Sequence, residues 1–115
     1  MNDKMLIITR IKKTIEYSNK ILENFPTRDI ELKRRIIDGL YNLLEYCYLA
    51  NYNIDKIKYQ NYSLVKISMI DYYFKISYKK GILSKRKFET LANHLLEINK
   101  MITAWKNNET KKEFI

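Results

Sequence analysis

Residues 84–107 read SKRKFETLANHLLEINKMITAWKN, and the spacing of their apolar side chains decides the fold. Phe88, Leu91, Leu95, Ile98, Ile102 and Trp105 step by three and four residues in strict alternation, which places them on one face of an α-helix. Ser84 stands where an N-cap belongs, and Gly81 stands where a preceding helix would end in a left-handed residue. Working outward, the punctuation is sparse and regular. Phe25-Pro26-Thr27 interrupts the first quarter, and Asn51-Tyr52-Asn53 with Asp55 interrupts the middle. Four helical segments follow, at about 3–27, 28–52, 54–80 and 84–107. Pro26 disfavours helical geometry at Phe25, so the first helix is expected to end near Asn24 or Phe25.

The other segments carry seams of their own. Ile7, Ile11, Ile15, Ser18, Leu22 and Phe25 line the first, and Ile37, Leu40, Leu44 and Cys47, flanked by Ile36, Leu43 and Ala50, line the second. Gly39 falls inside that second helix. The third is the least clean, because Gln60 and Asp71 interrupt Ile57, Leu64, Ile67, Phe74 and Tyr78. Long amphipathic helices with short connections pack as antiparallel neighbours, so the expected fold is all-α, an up-down-up-down four-helix bundle. Each helix would be roughly 35 Å long at 1.5 Å per residue. The bundle is expected over residues 1–107, followed by a polar C-terminal tail at 108–115.

Composition narrows the function classes. The 115 residues include two Gly and one Pro, too few for a barrel's turns or a Gly-rich nucleotide loop. One Cys and one His leave no usual zinc ligand set and no intrachain disulfide. No apolar run approaches the roughly 20 residues of a membrane span, and the N-terminus lacks a signal peptide's apolar region, so a cytoplasmic location without membrane attachment is expected. Neither a cofactor nor a catalytic constellation is implied. His94 and Cys47 read as packing residues, and Glu45, Glu89 and Glu97 as helix-face carboxylates. Asp71 is the odd carboxylate, to be paired with a buried Arg or Lys or set at a subunit contact. A site completed only between subunits, around His94 or Asp71, is the remaining enzymatic alternative.

Two surpluses point elsewhere. The chain carries 22 Lys+Arg against 13 Asp+Glu, a net charge of +9. The bundle topology would gather most of it at the end formed by the first and third turns. Residues 72–88 hold Lys75, Lys79, Lys80, Lys85, Arg86 and Lys87 with no acid, and residues 18–35 add Lys20, Arg28, Lys33, Arg34 and Arg35 against three acids. Lys75, Lys79 and Lys80 end a helix, where its dipole welcomes cations; Lys85, Arg86 and Lys87 begin one, where it opposes them. The basic end therefore reads as a polyanion-binding surface, with a solvated basic face as the alternative. Arg28, Lys33, Arg34, Lys75, Lys79, Lys80, Lys85, Arg86 and Lys87 are the expected phosphate contacts, binding RNA or DNA without reading its sequence. Tyrosine is the second surplus. Nine of ten lie between 41 and 78, more than one seam per helix can bury, so a lateral interface and a homo-oligomer are expected.

Particular residues also resemble a known family. Phe25-Pro26 before a basic helix start, Ile36, Leu40 and Leu43-Leu44 leading to Ala50-Asn51-Tyr52 form one half of the pattern. Gly81-Ile82-Leu83-Ser84, Lys87-Phe88-Glu89, Leu91, Leu95-Leu96-Glu97-Ile98, Lys100-Met101-Ile102 and Trp105-Lys106 form the other. Over residues 22–107 this resembles the four-helix-bundle family of the accessory variability determinant of diversity-generating retroelements, which includes proteins encoded by intervening sequences in bacterial 23S ribosomal RNA genes. Ala104 replaces the family's usual glycine before the tryptophan, and Phe88 its common tyrosine. The resemblance implies a homopentameric barrel with a basic, nucleic-acid-binding surface. In the retroelement setting it implies a non-enzymatic accessory to a reverse transcriptase during mutagenic cDNA synthesis. The alternative is a stand-alone assembly or protein-interaction module of the intervening-sequence type.

Overall fold

The structure, a computed structural model, describes residues 3–113. It contains four helices, α1 (Asp3–Leu22), α2 (Ile30–Tyr52), α3 (Lys56–Lys79) and α4 (Lys85–Glu113), with a 3-10 turn at Thr27–Asp29. Each helix packs on its neighbours in sequence, and α1 closes the ring against α4. The result is an elongated bundle of 51 × 23 × 23 Å, with no strand among the described residues. Among those residues no helix is long and apolar enough to cross a membrane.

The helix ends follow from local chemistry. After Leu22 the hydrogen bonds tighten, with Asn24 N–H donating to Ile21 O and Phe25 N–H to Leu22 O, and Pro26 then turns the chain into extended backbone. The α-helix thus ends a little before the expected Asn24 or Phe25. At the other end of α3, Gly81 adopts φ +77°, Ile82 N–H donates to Ser77 O and Gly81 N–H to Tyr78 O. These two bonds satisfy the last carbonyls of α3 in the manner that glycine C-caps allow. Ser84 Oγ accepts from Lys87 N–H at 3.2 Å and caps α4 as expected. The boundary expected at residue 107 is not a helix end: α4 runs on to Glu113. No Gly or Pro stops it, and Thr110 and the Glu109–Lys112 pair sit within regular helix. The helix occupies most of the segment expected as a tail, and residues 114–115 lie outside the described ones.

The core confirms three seams and redraws the fourth. Ile7, Ile11, Ile15, Ser18 and Leu22 are buried in α1, and Leu91, Leu95, Ile98, Ile102 and Trp105 in α4. In α2 the stripe centres on Ile36, Leu40, Leu43, Cys47 and Ala50, leaving Ile37 and Leu44 at its edge. In α3 the buried line is Gln60, Ser63, Ile67, Ile70, Phe74 and Ser77, again stepping by three and four. Ser63 and Ser77 are tolerated there because their hydroxyls donate back to Tyr59 O and Tyr73 O. Tyr78, expected in this seam, is exposed and stacks on Phe88 of α4 with ring centroids 4.8 Å apart. Gly39 has a packing reason. A Cβ there would lie 2.9 Å from Ile70 Cγ1, so glycine lets α2 approach α3 closely.

Candidate nucleic-acid interface

Two turns build the basic end. Asp29, in the 3-10 turn ahead of α2, is only 4% exposed, and its Oδ1 accepts from Lys80 Nζ at 2.5 Å. This carboxylate caps nothing on its own helix; it ties the first turn of the bundle to the C-terminus of α3. The Tyr78–Phe88 stack ties the end of α3 to the first turn of α4. Together these contacts hold all nine expected phosphate-binding residues on elements that meet at one end.

Within that end the nine fall into separate groups. Arg28 and Lys80 line a groove between α2 and α3, whereas Lys33 and Arg34 flank Ile30 and Ile37 on another part of α2. Lys75 pairs with Asp71 at 2.8 Å on α3. Lys75, 57% exposed in its side chain, is not the buried partner expected for Asp71, which is itself partly exposed one helical turn away. Lys79 is exposed at the end of α3, and Lys85, Arg86 and Lys87 are exposed in the first turn of α4.

Other pairs among them are looser. Arg34 reaches Glu31 at 3.7 Å, Lys85 reaches Glu89 at 4.0 Å and Arg28 reaches Asp29 at 3.6 Å. The Arg34–Glu31 and Lys85–Glu89 pairs are exposed on both sides and contribute about 0–1 kcal/mol each, so a phosphate can displace them at little cost, whereas Asp29 is buried. Lys33, Lys79, Arg86 and Lys87 have no ion-pair partner among the described residues. Arg35 is the residue that composition counts but does not single out. It joins Arg28 and Lys80 in the α2–α3 groove, paired with Glu31 at 3.2 Å, and the Tyr73 hydroxyl raises its pKa further above the ordinary arginine value. Its position depends on the α2–α3 register, which no single-helix pattern reveals.

His94 and Cys47, weighed for chemistry, each contact a neighbouring helix. His94 lies against α1, its Nδ1 3.0 Å from Thr14 Oγ1 and its ring stacked on Tyr17 at 5.4 Å. Burial lowers its pKa, and the nearby Arg10 charge lowers it further. Burial likewise pushes the Cys47 thiol up to about 11, against a smaller opposing effect of Ser63, so it stays protonated in the core. No group of three or more His, Cys, Asp or Glu suited to a metal ion occurs among the described residues.

The tyrosines lie where one seam per helix must leave them. Tyr41, Tyr52, Tyr62, Tyr72 and Tyr78 are exposed, and Tyr46, Tyr48, Tyr59 and Tyr73 are half-buried. On α3, Tyr62, Val65, Met69 and Tyr72 form a second, outward apolar line at helical spacing.

No protein-family model matches the chain, and no curated protein matches it either. Among solved structures, the bundle is similar to a crystal structure of a protein from Bacteroides thetaiotaomicron, described as belonging to the S23 ribosomal protein family and as having unknown function. The TM-score is 0.76, with 14% identity over 92% of this chain and 99% of that one. At that identity the likeness establishes a shared all-helical fold.

Proposed function

We propose that this chain is a non-enzymatic nucleic-acid-binding accessory protein, working as a homo-oligomer that holds RNA or cDNA beside a reverse transcriptase. The observation that carries the reading is the first turn of α4. Lys85, Arg86 and Lys87 are exposed at a helix N-terminus that contains no acid, against the preference of the helix dipole. That placement is unfavourable for a bare protein and favourable for one bearing a phosphate, which the dipole and the cations attract together. Arg28, Lys33, Arg34, Lys75, Lys79 and Lys80 extend the same field across the end of the bundle. The structural neighbour's ribosomal family name is compatible with RNA as the polyanion. The polymerase partner and the number five for the oligomer rest on the family resemblance alone.

A second reading is favoured by the outward apolar line of α3, where Val65 is 63% exposed. Under it the chain is an assembly module and its basicity is incidental. The variant Lys85→Gln/Arg86→Gln/Lys87→Gln separates the two. Under the first reading it binds structured RNA more weakly, and its salt slope falls by about one unit for each phosphate it no longer neutralises. Unchanged affinity and slope in the folded variant would overturn that reading.

A further inference from the structure

The open groove between α2 and α3 offers about 490 Å³ and combines three chemistries within one hollow. The first is a buried acceptor. Asp29 Oδ1 is occupied by Lys80, while Asp29 Oδ2 is buried with no hydrogen-bond partner, Arg28 Nε standing 3.6 Å away. Buried carboxylate oxygens ordinarily find a donor, so an unpartnered one lining a groove marks a place for a ligand N–H. The second is an aromatic platform. Tyr72 is 57% exposed beside Tyr73, with ring centroids 6.2 Å apart and planes tilted by 49°. The third is the pair of guanidinium groups, Arg28 and Arg35, on the α2 side of the hollow. Arg28 is 82% exposed in its side chain and so is available to a ligand's anion at the mouth of the hollow.

A ligand meeting all three presents a flat ring, an amino donor on its edge and an attached anion. We infer that this hollow receives an unpaired nucleotide whose base carries an exocyclic amino group. The base stacks on Tyr72, the amino group donates to Asp29 Oδ2, and the phosphate lies against Arg28 and Arg35. Cytosine, adenine and guanine meet that requirement. Uracil fails it, because its one ring N–H is flanked by two carbonyl oxygens that a carboxylate repels. The inference deepens the nucleic-acid reading and rests on it: the basic end draws in the strand, and the groove takes one nucleotide of it.

Two titrations of the full-length protein test the site. Cytidine and uridine monophosphates are followed by NMR at the Tyr72, Tyr73 and Met69 resonances, and oligo(C) and oligo(U) of equal length by fluorescence anisotropy. The monophosphates report a free nucleotide, the oligomers one held in a strand. The expected result is a cytidine-selective shift at those resonances and an oligo(C) preference of about fivefold or more, the usual scale for one matched base contact. Tyr72→Ala abolishes the preference and leaves the salt slope intact. Arg28→Gln weakens both oligomers without erasing the preference. Equal effects of the cytidine and uridine ligands, with polyanion binding retained, would overturn the nucleotide site and leave the function standing. Failure of every oligomer to bind would overturn the function instead, and a cytidine-selective shift would then mark a site for a free nucleotide.

Discussion

Lys80 at the end of α3 donates to Asp29 in the turn before α2, at 2.5 Å, and so joins the two turns at the basic end of the bundle. The carboxylate is 3% exposed in its side chain and the lysine 50%, so the charge that suffers when the pair is broken is the buried one. Lys80→Met is therefore expected to lower unfolding free energy by about 1–3 kcal/mol, below the range for fully buried pairs because half of the lysine is in water. Urea denaturation measures this directly. A change below about 0.5 kcal/mol, typical of surface substitutions, would show that the pair does not hold the loops together.

Gly39 sets the distance between α2 and α3. Gly39→Ala improves helix propensity by about 1 kcal/mol, but its new Cβ meets Ile70 Cγ1 at 2.9 Å, well inside normal contact. Overpacking costs typically about 1–3 kcal/mol, so the net effect is expected to be destabilising. Gly39→Ala combined with Ile70→Ala, which removes Cγ1, is expected to lose less than the sum of the two single changes. Strict additivity in thermal or urea unfolding would contradict the close approach.

His94 links stability to pH. Its pKa is lowered in the fold by burial and then by Arg10, from an ordinary value of about 6.5 in the unfolded chain. Between the two values the unfolded state binds more protons. Its contribution to stability is thus fully present above about pH 6.5 and is lost as pH falls toward the folded value. His94→Gln keeps a polar partner for Thr14 and is expected to remove this component as pH falls below about 6.5. Superimposable pH–stability profiles of the two proteins would contradict the placement of the ring.

Period and punctuation make much of the bundle legible in the sequence. The α4 seam, the Gly81 turn and the Ser84 cap are each fixed by residues within one or two helical turns, and the structure places all three as expected. The α3 seam is not legible in the same way, because Ser63 and Ser77 bury hydroxyls that bond to their own helix, while Val65 and Met69 stay outside. A hydrophobicity pattern cannot rank those two faces without the neighbouring helices. The basic end is visible as a run of charge. Its division into an α2–α3 groove with Arg28, Arg35 and Lys80, and a separate face with Lys33 and Arg34, depends on interhelical register.

The outward line of α3 gives the oligomer a test. Val65 is 63% exposed, so Val65→Lys leaves the bundle's own core untouched. Light scattering is expected to show a wild-type assembly near five chains and a variant shifted toward one chain. A monomeric wild type, or a variant of unchanged mass and helicity, would remove this face from the assembly.

If the basic end binds nucleic acid, a salt series reveals it most directly. Purified protein is titrated with structured RNA, single-stranded DNA and an RNA–DNA hybrid at increasing salt. The predicted result is a log–log slope of several units with useful affinity left near about 150 mM, the signature of many phosphates neutralised at once. Binding to all three ligands that vanishes by that salt would contradict it.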